Sequence, residues 1–599
     1  MQTQQKYNVD HKPISFLISS LENKLIAIPD IQRPFVWDGP RVLKLIDSLY
    51  KGYPVGYIVT SINPNVKLKD GTISHGKTIL IDGQQRITAL SSALLGWEVT
   101  TKDYSKKVFK IAFNPKTKVF LNSDAPGAKD KSFIPDISVL FNEKSAYKVA
   151  KGYVEENPDM DMDECMEILY SVQDIKSRDI GIVELASDLD MDSVTEIFNR
   201  INSQGVPLKE ADFAMSKIAA DENYGGNIIS KCIYHFSELV KKPEMYGNIE
   251  KNDKAFVASP FFNKISWLKH ENDDIYDPSY EDMLRVILIF KFQRGKMGDL
   301  VQMLSGRNFK TKTYEQEVKE TTFATLKTGV YDFINEHNFK TFVMLLSSGG
   351  FCNGKITSAS GAKNFAYALF LYLRSIGYAP EKLQNAVLRW FVMSLLTGRY
   401  SSSSESRFES DIKRIVENGI EASLSEIERT DLSEVFWTEK LVANLGTSTT
   451  TNAAYNVYFA AQCKKGVRGL LSKQITVKDM ITQKGDIHHI FPRQYLIDHG
   501  MAKTMYNQVA NFAYVQTEIN IQIGKKAPND YFGYVVNEQV AGGETKYGGI
   551  TDIDDLKKNM QENCIPEGLE NMDVNDYQTF LSKRRVLMAN AIREYYTSL

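Results

Sequence analysis

Two adjacent histidines, His488 and His489, sit in the run Asp486-Ile-His-His-Ile-Phe-Pro492, and three asparagines follow at Asn507, Asn511 and Asn520. Hydrolysis of a phosphodiester needs a cation to stabilise charge on the phosphate and leaving oxygen, and a base to take a proton from the attacking water. Neighbouring side chains on an extended segment point to opposite faces. One imidazole can therefore hold a metal while the other faces the water. An asparagine from a downstream helix can add a neutral oxygen ligand, and a hard ion such as Mg²⁺ keeps its other positions for water and phosphate. Lys525 and Lys526, close behind, can contact DNA phosphates. His499 fits no position of this pattern and reads as a solvated helix-end residue.

A second cluster lies far upstream. Ile79-Leu-Ile reads as a short strand, Asp82-Gly83-Gln84-Gln85-Arg86 follows, and ITALSSALLG reads as a helix. A strand, a glycine turn and a helix start bring free backbone N–H groups together, which makes an anion site. Arg86 adds a forked cation suited to phosphate. Asp82 can hold a metal ion or a nucleotide hydroxyl, and Gln84 and Gln85 can read a base or sugar edge. Gly71-Thr-Ile-Ser-His-Gly76-Lys77-Thr78 matches the phosphate-loop pattern GxxxxGK[ST] in letters only. That motif needs a helix directly after the Lys-Thr pair, and here a strand is expected first.

Residues 1–225 read as mixed α and β. ISFLISSLENK and PRVLKLIDSLYKG have helical periodicity, while GYIVTSI, TILI and VFKIAF alternate as strands. The acidic stretch 156–164 reads as a solvated loop. Residues 226–440 read as a helical domain, with long apolar runs in EDMLRVILIFKFQ, NFAYALFLYLRSIG and KLQNAVLRWFVMSLLTG. The serine-rich stretch Ser401–Ser406 is expected as a loop. Residues 441–599 are mixed again and hold the histidine pair. Phe35 and Trp37 read as core side chains rather than base-stacking ones.

At 599 residues the chain is too long for one core. With 43% hydrophobic and 24% charged residues it has the composition of a globular protein. No apolar run approaches a membrane span, and MQTQQKYNVD is not a secretory signal. The five cysteines are scattered without a CxxC pair, which argues against a disulfide framework or a cysteine zinc site. A cytoplasmic location without membrane attachment is expected. The net charge of −2 excludes a DNA-coating protein, so nucleic acid must be met by local basic patches. Candidates are Lys464, Lys465, Arg468, Lys473 and Lys478, and Lys583, Arg584 and Arg585. Each set tracks a DNA backbone or forms a solvated face.

The C-terminal run, over roughly 480–535, resembles the HNH or ββα-metal nucleases in their DUF1524-like form. The resemblance implies that His488 and Asn520 bind the metal, that His489 is the general base, and that Asn511 orients the loop bearing it. His488 stands where Asp is commoner, which admits Mn²⁺, Zn²⁺ or Ni²⁺ beside Mg²⁺. Upstream, Ile28-Pro-Asp-Ile-Gln32-Arg33-Pro-Phe-Val-Trp37, the Asp82–Arg86 motif, and Ile197-Phe198-Asn-Arg200-Ile-Asn202-Ser-Gln-Gly205 together resemble the DUF262 family, which has a ParB/sulfiredoxin-like fold. Leu396-Thr-Gly-Arg399-Tyr400 matches the helical region that usually follows.

The resemblance implies an α+β multidomain protein: a nucleotide-binding domain at 1–225, a helical coupling domain at 226–440 and an HNH nuclease domain at 441–599. Gln32, Arg33, Asp82, Gly83, Gln84, Gln85 and Arg86 would line a pocket for GTP, UTP or ATP, with Arg200 and Asn202 closing or bracing it. Arg33 and Arg200 have a second reading, as buttresses of Asp82 in a buried polar network. The implied activity is antiphage defence by modification-dependent restriction of double-stranded phage DNA, regulated by nucleotide binding or hydrolysis, with homo-oligomers allowed. It is similar to type IV enzymes of the GmrSD kind and to the phosphorothioate-sensing Ssp-type nucleases. Two rivals stand beside it: a nucleotide-regulated sensor of modified DNA whose nuclease site is inactive, and a regulator or toxin acting on RNA or a protein.

Overall fold

The computed structural model describes residues 6–23, 25–27, 35, 37–62, 78–141, 146–186, 197, 209–271, 273–354, 359–402, 404–483 and 487–599. Among the described residues the fold mixes α and β and is mostly helical, with 63% helix and 9% strand. It forms two compact units. One is Met1–Cys232 with Glu244–Phe262, and the other is Ile233–Pro243 with Asn263–Leu599. Among the described residues no helix is long and apolar enough to cross a membrane.

The first unit is built on a five-stranded sheet. Its strands in chain order are β1 (Tyr7–Pro13), β2 (Ile26–Ala27), β3 (Tyr57–Ile62), β4 (Thr78–Asp82) and, after two small hairpins, the strand Asp179–Leu185. The hairpins pair β5 (Val99–Thr100) with β6 (Lys106–Lys107), and β7 (Ile111–Asn114) with β8 (Val119–Asn122). With Asp179–Leu185 as β9, the sheet order is β1-β9-β3-β4-β2. β1 runs antiparallel to β9, β9 parallel to β3, β3 antiparallel to β4, and β4 parallel to β2.

Helices α1 (Ile14–Glu22), α2 (Gly39–Tyr50) and α3 (Gln84–Leu95) bury their apolar stripes in the core of this unit. Helix α2 starts where Asp38 accepts the Arg41 N–H at 3.1 Å and Pro40 occupies the first turn, where its missing N–H costs nothing. Val42, Leu45, Ile46 and Leu49 recur at helical spacing and are all buried. Ile58 of β3 and Leu80 of β4 meet Ile87 and Leu90 of α3 in the same core.

The second unit begins its helical core with α4 (Tyr280–Phe292). Ser279 accepts the Asp282 N–H at 3.2 Å and donates to its carboxylate at 2.7 Å, a reciprocal cap that fixes the first turn. Seven consecutive or near-consecutive apolar residues of α4 are buried, so the helix is enclosed on all sides. It packs with α5 (Ser360–Ser375) and α7 (Ser404–Asn418), and α5 in turn packs against α6 (Pro380–Thr397).

Two loop expectations give way to helix. The acidic stretch 156–164 is not all loop: Asp161 accepts the N–H groups of Asp163 and Glu164, and a helix starts at Met162. Acidic side chains there complement the helix N-terminus. Within Ser401–Ser406, α7 already begins at Ser404 because Phe408, Ile412 and Ile415 give it an apolar stripe to bury.

Arg399, at the end of α6, is almost wholly buried among carboxylates. Its Nε donates to Asp411 at 2.7 Å and its Nη1 to Asp431 at 3.1 Å. Tyr400 donates its hydroxyl proton to Asp411 at 2.9 Å, and the Trp390 indole donates to the Tyr400 oxygen at 3.0 Å. The Leu396–Tyr400 motif is therefore a structural joint. Replacing Arg399 with Ala leaves Asp411 buried without its cation and is expected to cost about 3–5 kcal/mol. Denaturant unfolding checks this, and the double change Arg399→Met with Asp411→Leu should recover much of the loss.

Candidate functional site

The histidine pair lies on β10 (Ile487–His489), which pairs antiparallel with β11 (Phe512–Tyr514), His488 opposite Ala513 and His489 opposite Phe512. A helix, α8 (Thr517–Ile523), follows and carries Asn520. The loop leaving β10 is held from below by Asn511, which has no exposed surface. Its Oδ1 accepts the Phe491 N–H at 2.8 Å, its Nδ2 donates to the Phe491 carbonyl at 3.1 Å, and its own carbonyl accepts the Ile490 N–H at 2.8 Å. Tyr531 donates to the Ile490 carbonyl at 2.8 Å. The Phe491 ring packs on Tyr577 and Phe580.

The two imidazoles meet different surroundings. His488 is 4% exposed, and its Nε2 is buried with no hydrogen-bond partner. Burial disfavours the imidazolium and brings the His488 pKa from 6.5 down to about 4, although the Asn520 side chain works in the opposite direction. At neutral pH this ring is uncharged and offers a free lone pair, the form in which histidine binds a metal.

His489 is partly exposed, with its ring edge-to-face on Phe512 at 4.8 Å. Its Nε2 is 3.0 Å from the Asn507 side-chain oxygen. An amide oxygen only accepts, so Nε2–H donates and Nδ1 keeps the lone pair. Burial lowers the His489 pKa below the ordinary 6.5, and the nearby Arg493 charge adds to this, while Asn507 acts against it. A ring with an oriented Nε2–H and an uncharged Nδ1 can accept a proton at neutral pH.

His488, His489, Asn511 and Asn520 thus converge around one short ribbon. Asp486 lies outside the described residues. Asn507 belongs to the sequence pattern but carries no role there; its position beside His489 comes from the turn that returns residues 503–511 to the ribbon. Among the described residues no three His, Cys, Asp or Glu side chains gather as a metal cluster; the groups among them that could hold a cation here are an imidazole and amide oxygens.

Lys525 and Lys526 are exposed just beyond α8. Lys525 lies 3.6 Å from Asp498, and Lys526 donates to the Gln522 carbonyl at 2.6 Å. Two other basic residues read as DNA-tracking or solvated serve the fold instead. Arg468 pairs with Asp555 at 2.9 Å and Glu562 at 3.5 Å. Arg584, 1% exposed, donates to the carbonyls of Ala510 and Phe512 at 2.8 Å each and of Asn563 at 3.2 Å. His499 ends its helix, exposed, against Tyr495.

In the first unit β4 runs into Gly83, whose φ of 98° lies in the left-handed region, and α3 starts directly after it with no side-chain cap. A side chain at Gly83 would also meet Ile58 Cγ1 at 3.0 Å, so glycine is required twice over. Arg86 donates from Nη1 to the Tyr57 carbonyl at 2.8 Å and lies 3.9 Å from Asp82. Gln84 is buried and Gln85 partly so. Asp82, Gly83, Gln84, Gln85 and Arg86 are brought together, whereas Gln32, Arg33, Arg200 and Asn202 lie outside the described residues. Phe35 is buried against Phe109 at 5.2 Å, and Trp37 packs on the same core. Residues 71–77 are outside the described residues. β4, not a helix, begins at Thr78, which removes the geometry a phosphate loop needs.

Residues 14–219 match the family model of the GmrSD restriction endonuclease, N-terminal domain. The chain is also 22% identical to an uncharacterized protein of Methanocaldococcus jannaschii, over 92% of this chain and 91% of that protein.

The depressed His488 pKa sets a stability window. In the metal-free protein the unfolded chain takes up a proton near pH 6.5 and the folded one only near pH 4. The contribution is therefore fully present above 6.5 and is lost as pH falls toward 4. Its size is about 3 kcal/mol at 1.36 kcal/mol per pH unit. Denaturant midpoints measured across that range should fall for the wild type, and the fall should be shallower for His488→Asn.

Proposed function

We propose that this chain is a restriction-type defence nuclease that cuts DNA with a metal-dependent HNH-like site at His488–Asn520. Its ParB/sulfiredoxin-like N-terminal domain binds a nucleoside triphosphate at Asp82–Arg86. The observation that carries the reading is the pairing of two unlike histidines on one ribbon. One is buried with an unpartnered Nε2, and the other is held through Nε2–H with Nδ1 free. The match of residues 14–219 to the GmrSD N-terminal domain supports the defence context and a DNA substrate.

The residues fit a divalent cation. His488 Nε2 is buried without a hydrogen-bond partner and can offer its lone pair, and Asn520 can supply a neutral oxygen. The imidazole ligand suits Mn²⁺, Zn²⁺ or Ni²⁺ as well as Mg²⁺. When bound, such an ion supplies positive charge for the phosphate and the departing oxygen. His489 Nδ1 takes the proton from the attacking water. Asn507 keeps that ring oriented by accepting from Nε2–H, and Asn511 fixes the backbone that leads from it. Lys525 and Lys526 meet the DNA phosphates.

In the N-terminal domain the uncapped first turn of α3 and Arg86 receive the phosphates of GTP, UTP or ATP, while Asp82, Gln84 and Gln85 contact the sugar or base. The helical region passes the nucleotide state to the nuclease domain, and a modification on phage DNA is the trigger.

Plasmid cleavage with Mg²⁺ or Mn²⁺ tests the site. His489→Ala is expected to reduce the rate by roughly 10²–10⁴-fold, the usual contribution of a positioned base. The mechanism is falsified if that variant cuts as the wild type does. Cells expressing wild type, His489→Ala or Arg86→Ala, challenged with phages of modified and unmodified DNA, test the link between the two sites. Protection should be lost in both variants.

A further inference from the structure

Next to the Asp82–Arg86 cluster, the sheet carries an aromatic side chain that its own packing does not consume. Tyr57, the first residue of β3, is 53% exposed. It pairs with Gly181 of β9, and its ring lies over that glycine: a Cβ there would sit 2.4 Å from the Tyr57 ring carbon Cδ1. Any larger residue at 181 would push the ring away, so the bare glycine lets it lie against the sheet while about half of the residue stays exposed.

The register places this ring on the same face as Asp82. A bulge between Val59 and Thr60 makes Asp82 the direct partner of Val59, while Leu80 pairs with Thr60 and faces the core. Tyr57 lies two residues before Val59, so it is the diagonal neighbour of Asp82, about 7–8 Å away. The two residues also share one end of the sheet, because β3 begins where β4 ends. Arg86 joins them from the helix side. Its guanidinium donates to the Tyr57 carbonyl and lies against Gly56, where a Cβ would come within 3.0 Å of Nη2.

We infer that Tyr57 is the stacking platform for the nucleobase of the nucleoside triphosphate bound at Asp82–Arg86. This inference rests on the nucleotide site proposed above. A planar base recognised by stacking is read with little preference for its identity, because every base has a π-face. The platform therefore gives affinity for nucleotides as a class, and discrimination among them falls to polar groups such as Gln84 and Gln85.

Titration calorimetry with ATP, GTP and UTP, and with inorganic triphosphate as the probe that lacks a base, tests this on the full chain. The wild type should bind at least one nucleotide more tightly than triphosphate. Tyr57→Ala should weaken nucleotide binding roughly 5- to 150-fold, the range for loss of one base stack, and leave triphosphate affinity unchanged. Tyr57→Phe should bind as the wild type. Tyr57→Leu, which still covers Gly181 but has no ring, should behave as Tyr57→Ala and decides the matter if the alanine variant loses both ligands. Wild-type nucleotide affinity in Tyr57→Leu, or equal wild-type affinity for triphosphate and nucleotides, overturns the stacking role while leaving the anion site standing. Failure of the wild type to bind either probe overturns the nucleotide site itself.

Discussion

The side chain of Asn511 closes a ring of hydrogen bonds with the main chain of Phe491, and the geometry of the histidine ribbon follows from it. Both the N–H and the carbonyl of Phe491 are taken by one amide, in the interior, where each group left unpaired would cost about 1–3 kcal/mol. A carboxylate could accept from Phe491 but not donate to it, and an alanine could do neither. The turn after His489 is thereby locked to the strand that pairs with it. Nothing in the loop itself, a short Ile-Phe-Pro segment, could impose the same order.

From that turn the restraint spreads outward. Phe491 presses on Tyr577 and Phe580 of the terminal helix Tyr577–Thr597, and Arg584 of the same helix reaches back to both sides of the returning segment. The far end of this helix is bonded to the helical core, with the Tyr595 hydroxyl on the Gly349 carbonyl and the Tyr596 hydroxyl on Glu428. A displacement of the helical core thus has a rigid element through which it can act on the two imidazoles. Such a connection is what a regulated nuclease would need, and it consists of packing and side-chain hydrogen bonds rather than flexible linkers.

Much of this was legible in the sequence where local rules decide. The apolar stripes of α2 and α4 declare helices, the alternation of residues 57–62 declares a strand, and Asp82-Gly-Gln-Gln-Arg declares a strand, a turn and a helix start. The resemblance to HNH nucleases grouped His488, His489, Asn511 and Asn520, and the fold places them around one ribbon. What stayed hidden depends on partners far along the chain. Arg584 looks like a surface cation because its acceptors are carbonyls 21 to 74 positions away, which no charge pattern reveals. Asn507 acquires its role only when the ribbon folds back. Ser404 and Met162 start helices because of burial and capping that a count of serines or acidic residues obscures.

Arg584 also determines how the ribbon responds to its surroundings. Its partners are peptide dipoles, not carboxylates. They neither titrate nor exchange with dissolved ions, and a buried contact of this kind is little screened. High ionic strength, which strips nucleic acid from exposed lysines, therefore leaves this clasp closed. Under the proposed function, the grip on DNA and the integrity of the histidine ribbon answer to different solution variables, so salt would release the DNA without loosening the histidines.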